Sequence, residues 1–343
     1  MKKYQQLILG LALALIALYY TLNNVSFSEV VASFKEMNYI YIIPATALIS
    51  LTYVFRAYRW QALLESSLKL NVSELYAPMM VGFMGNFLPA RAAEILRPYL
   101  LSQKHSITFS AALASIIMER LFDLIMLLCI FIWVFLFEAE IFSDEIKFSG
   151  LSLKEMAIRF GQISLFVIII FFIFIYALLR HKIILMKLVS WLTSFINKQW
   201  SDKIKNLIDE FAIGCAVVKN FGTLAKVSIY SVFVWLGNIF WIFPLYFAFN
   251  LQHKTLSSLL VLAVIVAILI TVFPTPGFLG SFNAGIFIAL HQVMGESEIQ
   301  AVSLGMVAWV LASGVILAGG VYFIFHDHIS LKSLVSVKKE TDI

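Results

Sequence analysis

Apolar residues run along this chain in blocks too long for the alternating faces of a soluble fold. Six blocks cover 5–22, 39–55, 107–137, 160–179, 226–249 and 300–325. Each approaches or exceeds the roughly 17–25 residues a helix needs to cross a bilayer. Two further apolar regions, 74–103 and 256–294, are interrupted near their centres by Pro and Gly. The pattern predicts an all-α polytopic integral membrane protein, a single transmembrane unit over 1–343. It has about six full spans plus two Pro/Gly-broken re-entrant helix hairpins.

Loop charges set the expected orientation, because Lys and Arg collect on the cytoplasmic side. Lys2 and Lys3 precede the first block, and 180–226 carries eight Lys and Arg, whereas 138–159 is acidic. Both termini are then cytoplasmic, including the tail 326–343. The stretch 181–220 reads as amphipathic helices at the inner headgroup layer, with Trp191, Leu192, Phe195, Ile208 and Phe211 at helical spacing. No small-x-small cleavage site follows 5–22, so this block is expected to remain as the first span. Parity requires 74–103 to begin and end inside and 256–294 to begin and end outside. Thirty residues are too few for two comfortable spans, so the first region is read as a hairpin. The second fits either a hairpin or two short spans. Two hairpins entering from opposite faces are the mark of an inverted repeat.

Composition agrees with this picture: 61% of the 343 residues are hydrophobic and 13% charged, far from the balance of soluble domains. The net charge of +5 reflects cations gathered on one side of a membrane, not a nucleic-acid partner. Cys129 and Cys215 fall on opposite sides by this topology, which supports neither a disulfide nor a metal site. No metalloprotease, phosphate-loop or nucleophile-elbow motif is present. No cofactor and no enzyme activity are expected.

The chemistry lies where charge interrupts the apolar blocks. In "NFLPARAAEILRP" (86–98), Pro89 ends or kinks a helix. Arg91, Glu94 and Arg97 then follow at three-residue spacing, so that Glu94 can pair with either arginine. One guanidinium is left over. At membrane depth it needs water or an anion, and phosphate fits the arginine fork. A loop with ordinary surface charges would also carry arginines, but it would not explain Gly82, Gly85 and Asn86 in the apolar run leading to them. In "MERLFDL" (118–124), Glu119, Arg120 and Asp123 sit inside a long apolar block. They form either a structural ion pair or a ligand site. In "FPTPGFLGSFNAG" (273–285), Pro274 and Pro276 stop the helix, and Gly277 and Gly280 open backbone conformations closed to other residues. A plain kinked helix is the simpler alternative. Arg56, Arg59 and Trp60 read as an interfacial anchor.

Taken together, R-x-x-R-W-x-x-L-L (56–64), G-x-x-x-N-x-x-P-x-R-x-x-E-x-x-R (82–97), E-R-x-x-D (119–123) and P-x-P-G-x-x-G (274–280) resemble the lysylphosphatidylglycerol synthase transmembrane, or flippase-like, family. That family includes the lipid-flipping domain of bacterial multiple peptide resistance factors. Ala93 stands where the family usually has Gly, and Asn283 where a Glu often follows the second glycine-rich turn. The resemblance implies a translocase in the cell membrane, without the aminoacyl-transferase domain that makes aminoacyl lipid. It would move an anionic or modified phospholipid, or a polyprenyl-phosphate-linked lipid, between leaflets. Its headgroup site would draw on Asn86, Arg91, Glu94, Arg97, Glu119, Arg120, Asp123, Pro274, Pro276, Gly277, Gly280 and Asn283. Its partners would be membrane lipids, and either a lipid-modifying enzyme or further copies of the chain. A secondary transporter of a small anion and a non-transporting partner of an envelope-lipid enzyme are the other readings open to the sequence.

Overall fold

The computed structural model describes residues 3–23, 25–65, 67–87, 93–137, 147–148, 151–181, 205–206, 208–213, 215 and 219–329. Among them, five helical segments are long and apolar enough to cross a membrane: Tyr39–Leu64, Phe109–Phe137, Ile158–Ala177, Phe221–Ala248 and Glu298–His326. The first apolar block forms α1 (Lys3–Leu22) and leads into α2 (Phe27–Glu36). Gly10–Leu22 and α2 meet at 74° and can together form a sixth span. Residues 27–36, between the first two apolar blocks, are therefore helical. Ser26 and Glu29 account for this: Glu29 N donates to Ser26 Oγ at 3.3 Å, and Ser26 N donates back to Glu29 Oε2 at 2.9 Å. This capping box satisfies backbone donors that the new helix would otherwise leave unpaired.

Helix α3 (Ile42–Leu64) runs nine residues past the end of its apolar block. Arg56 and Arg59, which break the hydropathy there, sit on its inward side and are held by partners described below. Next come two short helices, α4 (Val72–Met84) and α5 (Ala93–Lys104), separated by a 3-10 turn at Gly85–Phe87 and by residues 88–92, which lie outside the described set. At 1.5 Å per residue each helix is about 20 Å long, short of a bilayer's hydrocarbon thickness. They pack on each other as one hairpin. Helix α6 (Phe109–Phe137) crosses next, and a two-residue antiparallel ladder, Lys147–Phe148 with Leu151–Ser152, lies in the acidic segment before α7 (Leu153–Arg180). The expected amphipathic helices of 181–220 lie mostly outside the described residues, as do 330–343 of the tail; 208–213 are helical.

Helix α8 (Phe221–Phe240) continues through a break into α9 (Phe243–Ala248). The region 256–294 is the second hairpin. Helix α10 (Leu256–Val272) ends at Phe273, a 3-10 turn spans Pro276–Phe278, and α11 (Ser281–Phe287) returns, continuing as a π-helix over Ile288–Val293. A Cβ on Gly285 would lie 2.8 Å from Val266 Cα, which shows how closely the two arms lie together. Helix α12 (Glu298–His326) completes the bundle.

Contacts at the helix ends fix the directions of the hairpins. Glu65, just after α3, meets Lys226 near the start of α8 at 3.1 Å, and Lys104, at the end of α5, meets Asp327 after α12 at 2.6 Å. The base of the first hairpin therefore shares an end of the bundle with the finish of α3 and α12 and the start of α8. At the other end, Asn38 N donates to Ala248 O at 3.1 Å, and Gln300 Nε2 donates to Phe249 O at 2.8 Å. That end carries the base of the second hairpin. The two hairpins thus enter from opposite ends, as an inverted repeat would place them, and their tips touch. The second region, which the sequence left open between hairpin and paired spans, is a hairpin because its return arm is too short to cross.

Candidate functional site

The buried charge is organised around α6. Glu119 is fully buried, and Arg97 from α5 grips it with both terminal nitrogens, Nη1 to Oε1 at 3.1 Å and Nη2 to Oε2 at 2.9 Å. Arg59, fully buried on α3, reaches Asp123 Oδ1 at 2.7 Å through Nη1. Its Nη2 lies 3.2 Å from Glu119 Oε1, an ion-pair contact that lacks hydrogen-bond alignment. Arg120 Nη2 is shared between Glu119 Oε1 at 2.8 Å and Asp123 Oδ2 at 3.2 Å. Arg56 comes no closer to a carboxylate of this network than 3.9 Å, and its Nη2 donates to Asn238 Oδ1 on α8 at 3.3 Å. Asp123 also accepts from Trp235 Nε1 at 3.2 Å.

Aromatic packing fixes this constellation. The Arg97 guanidinium lies 4.5 Å from the Trp60 ring centroid and 4.7 Å from that of Phe83. Both rings present a negative face to the cation. Trp60 is held in turn by Nε1 donating to Ser115 Oγ at 2.9 Å. Gly82 is the space through which Arg97 passes: a Cβ there would sit 2.2 Å from Arg97 Cγ. The glycine in the first motif thus admits an arginine stem.

Next to the network is a cavity of about 380 Å³, within the range of small-ligand sites. Arg56, Arg120, Asp123, Asn238 and Asn86 contribute polar groups to its wall, and Trp235, Trp241, Trp309, Phe83 and Phe87 contribute rings. Aliphatic side chains of α3, α10 and α12, among them Ile49, Val266, Ile270 and Ile316, complete it. The hairpin tips close one side. Phe87 of the first tip fills the space beside Gly277 of the second, where a Cβ would lie 2.6 Å from the Phe87 ring. Gly277 has φ +58° and its carbonyl accepts from Trp309 Nε1 at 2.9 Å. Any other residue there would meet both backbone strain and the phenyl ring.

The residues singled out in the sequence divide into three groups. Asn86, Arg120, Asp123 and Gly277 line the cavity, while Arg97 and Glu119 are buried behind it. Pro274, Pro276, Gly280 and Asn283 shape the second tip from outside the cavity wall. Pro276 and the Pro274 carbonyl abut Gly10 of α1, Gly280 with φ +87° lies against Ala14, and Asn283 Oδ1 accepts from Gly280 N at 3.2 Å. The third group is the start of α5. Glu94 is exposed, and Arg97 pairs with Glu119 rather than with Glu94. The Glu94 charge still acts through space on Arg120. Arg91 and Pro89 lie outside the described residues.

One reading from the sequence is overturned. Arg56 and Arg59 are not an interfacial anchor but two of the four guanidiniums of the buried network, because α6 supplies carboxylates at their depth. Trp235, Asn238, Trp241 and Trp309 are further residues that sequence reasoning did not find. Asn238 offered a signal, being a lone amide within the apolar block 226–249. No group of three or more His, Cys, Asp or Glu among the described residues could hold a metal ion.

No curated protein and no solved structure matches the chain. A family model, described as the lysylphosphatidylglycerol synthase TM region, matches residues 7–320. That span takes in both hairpins, the arginine network and the cavity. An integral membrane bundle built in this way, and matched over nearly its whole length, belongs to the lysylphosphatidylglycerol synthase TM region family, membrane domains associated with lipid handling.

Proposed function

We propose that the protein is a lipid translocase, not an enzyme, and that it moves a lipid with an anionic headgroup between the leaflets of the cell membrane. The observation that carries this reading is the cavity. It adjoins a network of four guanidiniums and two carboxylates, whose Arg56 and Arg120 line it together with aromatic and aliphatic side chains. Buried cations beside open space favour an anion, since an uncompensated charge at membrane depth is costly. Apolar walls suit the first carbons of lipid chains better than they suit a free hydrated ion.

The touching hairpin tips give a route for alternating access. Separating Phe87 from Gly277 would open the cavity towards one end of the bundle, and closing the opposite side would complete a cycle. On this reading Glu119, Arg59 and Arg97 hold the frame, and Arg56 and Arg120 meet the headgroup. Both termini face the cytoplasm, in line with the cation-rich 180–226 segment. Membrane lipids are the immediate partners. A lipid-modifying enzyme or a second copy of the chain would join them at the membrane.

The test is a leaflet-exchange assay in vesicles containing the purified protein and a fluorescent anionic phospholipid. Wild-type protein accelerates exchange of the anionic probe over a zwitterionic one, and Arg56→Ala removes most of that acceleration while leaving a monodisperse protein. Equal rates with and without protein, for anionic and zwitterionic probes alike, would overturn the translocase reading.

A further inference from the structure

Resting on the headgroup site proposed above, we infer that the cavity is matched to a phosphate bearing two negative charges on one centre, a terminal phosphomonoester, rather than to a phosphodiester headgroup. The argument is a charge balance. Arg97 and Glu119 neutralise each other through two parallel hydrogen bonds, and Arg59 and Asp123 do so at 2.7 Å. The described network thus sets four guanidiniums against two carboxylates. Because Arg120 also bonds both carboxylates, the excess of two charges is shared across the network and reaches open space through Arg56 and Arg120. Both line the cavity.

Their geometry places these two side chains together. Arg120 Nη2 and Arg56 Nη1 lie 2.8 Å and 3.9 Å from the same oxygen, Glu119 Oε1. The two guanidiniums are therefore neighbours, and both residues line the same cavity. Arg120 Nε is buried without a hydrogen-bond partner, and Arg56 spends one nitrogen on the neutral Asn238 amide. The charge in excess of the carboxylates reaches the cavity wall through these two side chains. A phosphodiester would leave one positive charge uncompensated in a largely apolar setting, and a zwitterionic or cationic headgroup would leave two or more. A phosphomonoester closes the balance, and its non-bridging oxygens suit the arginine forks.

Among the described residues, Glu94 acts on Arg120 through space, but from an exposed position where solvent screens it. Arg59 and Arg97 remain paired behind the wall, and Tyr53 lines the cavity as a neutral phenol. Guanidiniums keep their charge throughout the accessible pH range. The group that titrates is then the ligand, because a phosphomonoester gains its second charge around pH 6.

Binding can be measured on the full-length protein in detergent, by thermal stabilisation on titrating short-chain phosphatidic acid, phosphatidylglycerol or soluble glycerol 3-phosphate. Phosphatidic acid is expected to bind about tenfold tighter than phosphatidylglycerol at about pH 7.5, an advantage that shrinks towards about pH 5.5 as the second proton returns. Arg56→Gln and Arg120→Gln should each erase the advantage and its pH dependence. Arg56→Lys, which keeps the charge, should retain part of both and shows that loss in the Gln variant is not misfolding. Equal affinity of the wild type for the two lipids at every pH would overturn the two-charge inference and leave the headgroup site standing. Binding of all lipids unaffected by either Gln variant would overturn the site itself. Glycerol 3-phosphate binding as tightly as phosphatidic acid would support the charge match and make the ligand a soluble phosphate ester, against the lipid reading.

Discussion

Replacing Glu119 with Gln removes the carboxylate at the centre of the buried network while changing the side-chain volume very little. Four guanidiniums approach it in the native protein: Arg97 with two bonds of 2.9 and 3.1 Å, Arg120 at 2.8 Å, Arg59 at 3.2 Å and Arg56 at 3.9 Å. A glutamine keeps one acceptor oxygen, but its amide nitrogen must face a donor of Arg97 or of its neighbours. The surplus of the network rises by one charge at a position that is fully buried. Breaking a buried, hydrogen-bonded ion pair in this way costs about 3–5 kcal/mol, mostly the penalty of the charge left behind. The assay is reversible unfolding in mixed detergent micelles, comparing wild type, Glu119→Gln, Arg97→Met and the double variant. The single variants should each lose several kcal/mol, and the double variant should lose clearly less than their sum, because removing both partners removes the stranded charge. If Glu119→Gln unfolds within about 1 kcal/mol of the wild type, or the two losses simply add, the network is not the fixed frame described here.

Three further outcomes follow from the same geometry. Gly82→Ala sets a methyl 2.2 Å from Arg97 Cγ, so it should destabilise by about 1–3 kcal/mol or more as an overpacked site, read as a lowered melting temperature of the purified protein. Glu94 is exposed and is not the carboxylate that holds Arg97, so Glu94→Gln should keep measurable lipid movement in the vesicle assay, while Glu94→Lys, which reverses the charge acting on Arg120, should abolish it. Lys104 and then His326 hydrogen-bond Asp327 and hold its carboxyl below the usual aspartate value. A carboxyl whose folded pKa is lowered contributes stability above its unfolded value, near pH 4, and loses it as pH falls through the lowered value. A spin-label distance between the ends of α5 and α12 should therefore stay constant from neutral pH down to about pH 5 and lengthen only below about pH 4, and Asp327→Asn should remove that response.

Local sequence determined a good deal of this protein. Long apolar blocks located the spans, because a helix in hydrocarbon must satisfy its backbone internally and present apolar side chains along its whole length. Pro and Gly interruptions located both hairpin tips for a similarly local reason: Pro276 cannot continue the helix and Gly277 reaches a φ closed to other residues. The charges of Arg97, Glu119, Arg120 and Asp123 within apolar stretches marked the region of the buried network. The choice of partners could not be read there. By spacing, Glu94 was as good a partner for Arg97 as any carboxylate, yet Arg97 folds back through the gap at Gly82 to Glu119, twenty-two residues away. Arg56 and Arg59 ended an apolar block in the sequence, where hydropathy treats every guanidinium as a residue for the interface. Their cost at depth depends on whether a carboxylate stands opposite, and only the packing of α3 against α6 brings Asp123 within 2.7 Å of Arg59. The cavity is likewise a product of tertiary structure, since its rings come from α3, α8, α12 and both tips, and no single stretch of chain contains them. Helix formation and membrane insertion depend on properties of neighbouring residues, whereas charge compensation depends on distances between distant ones.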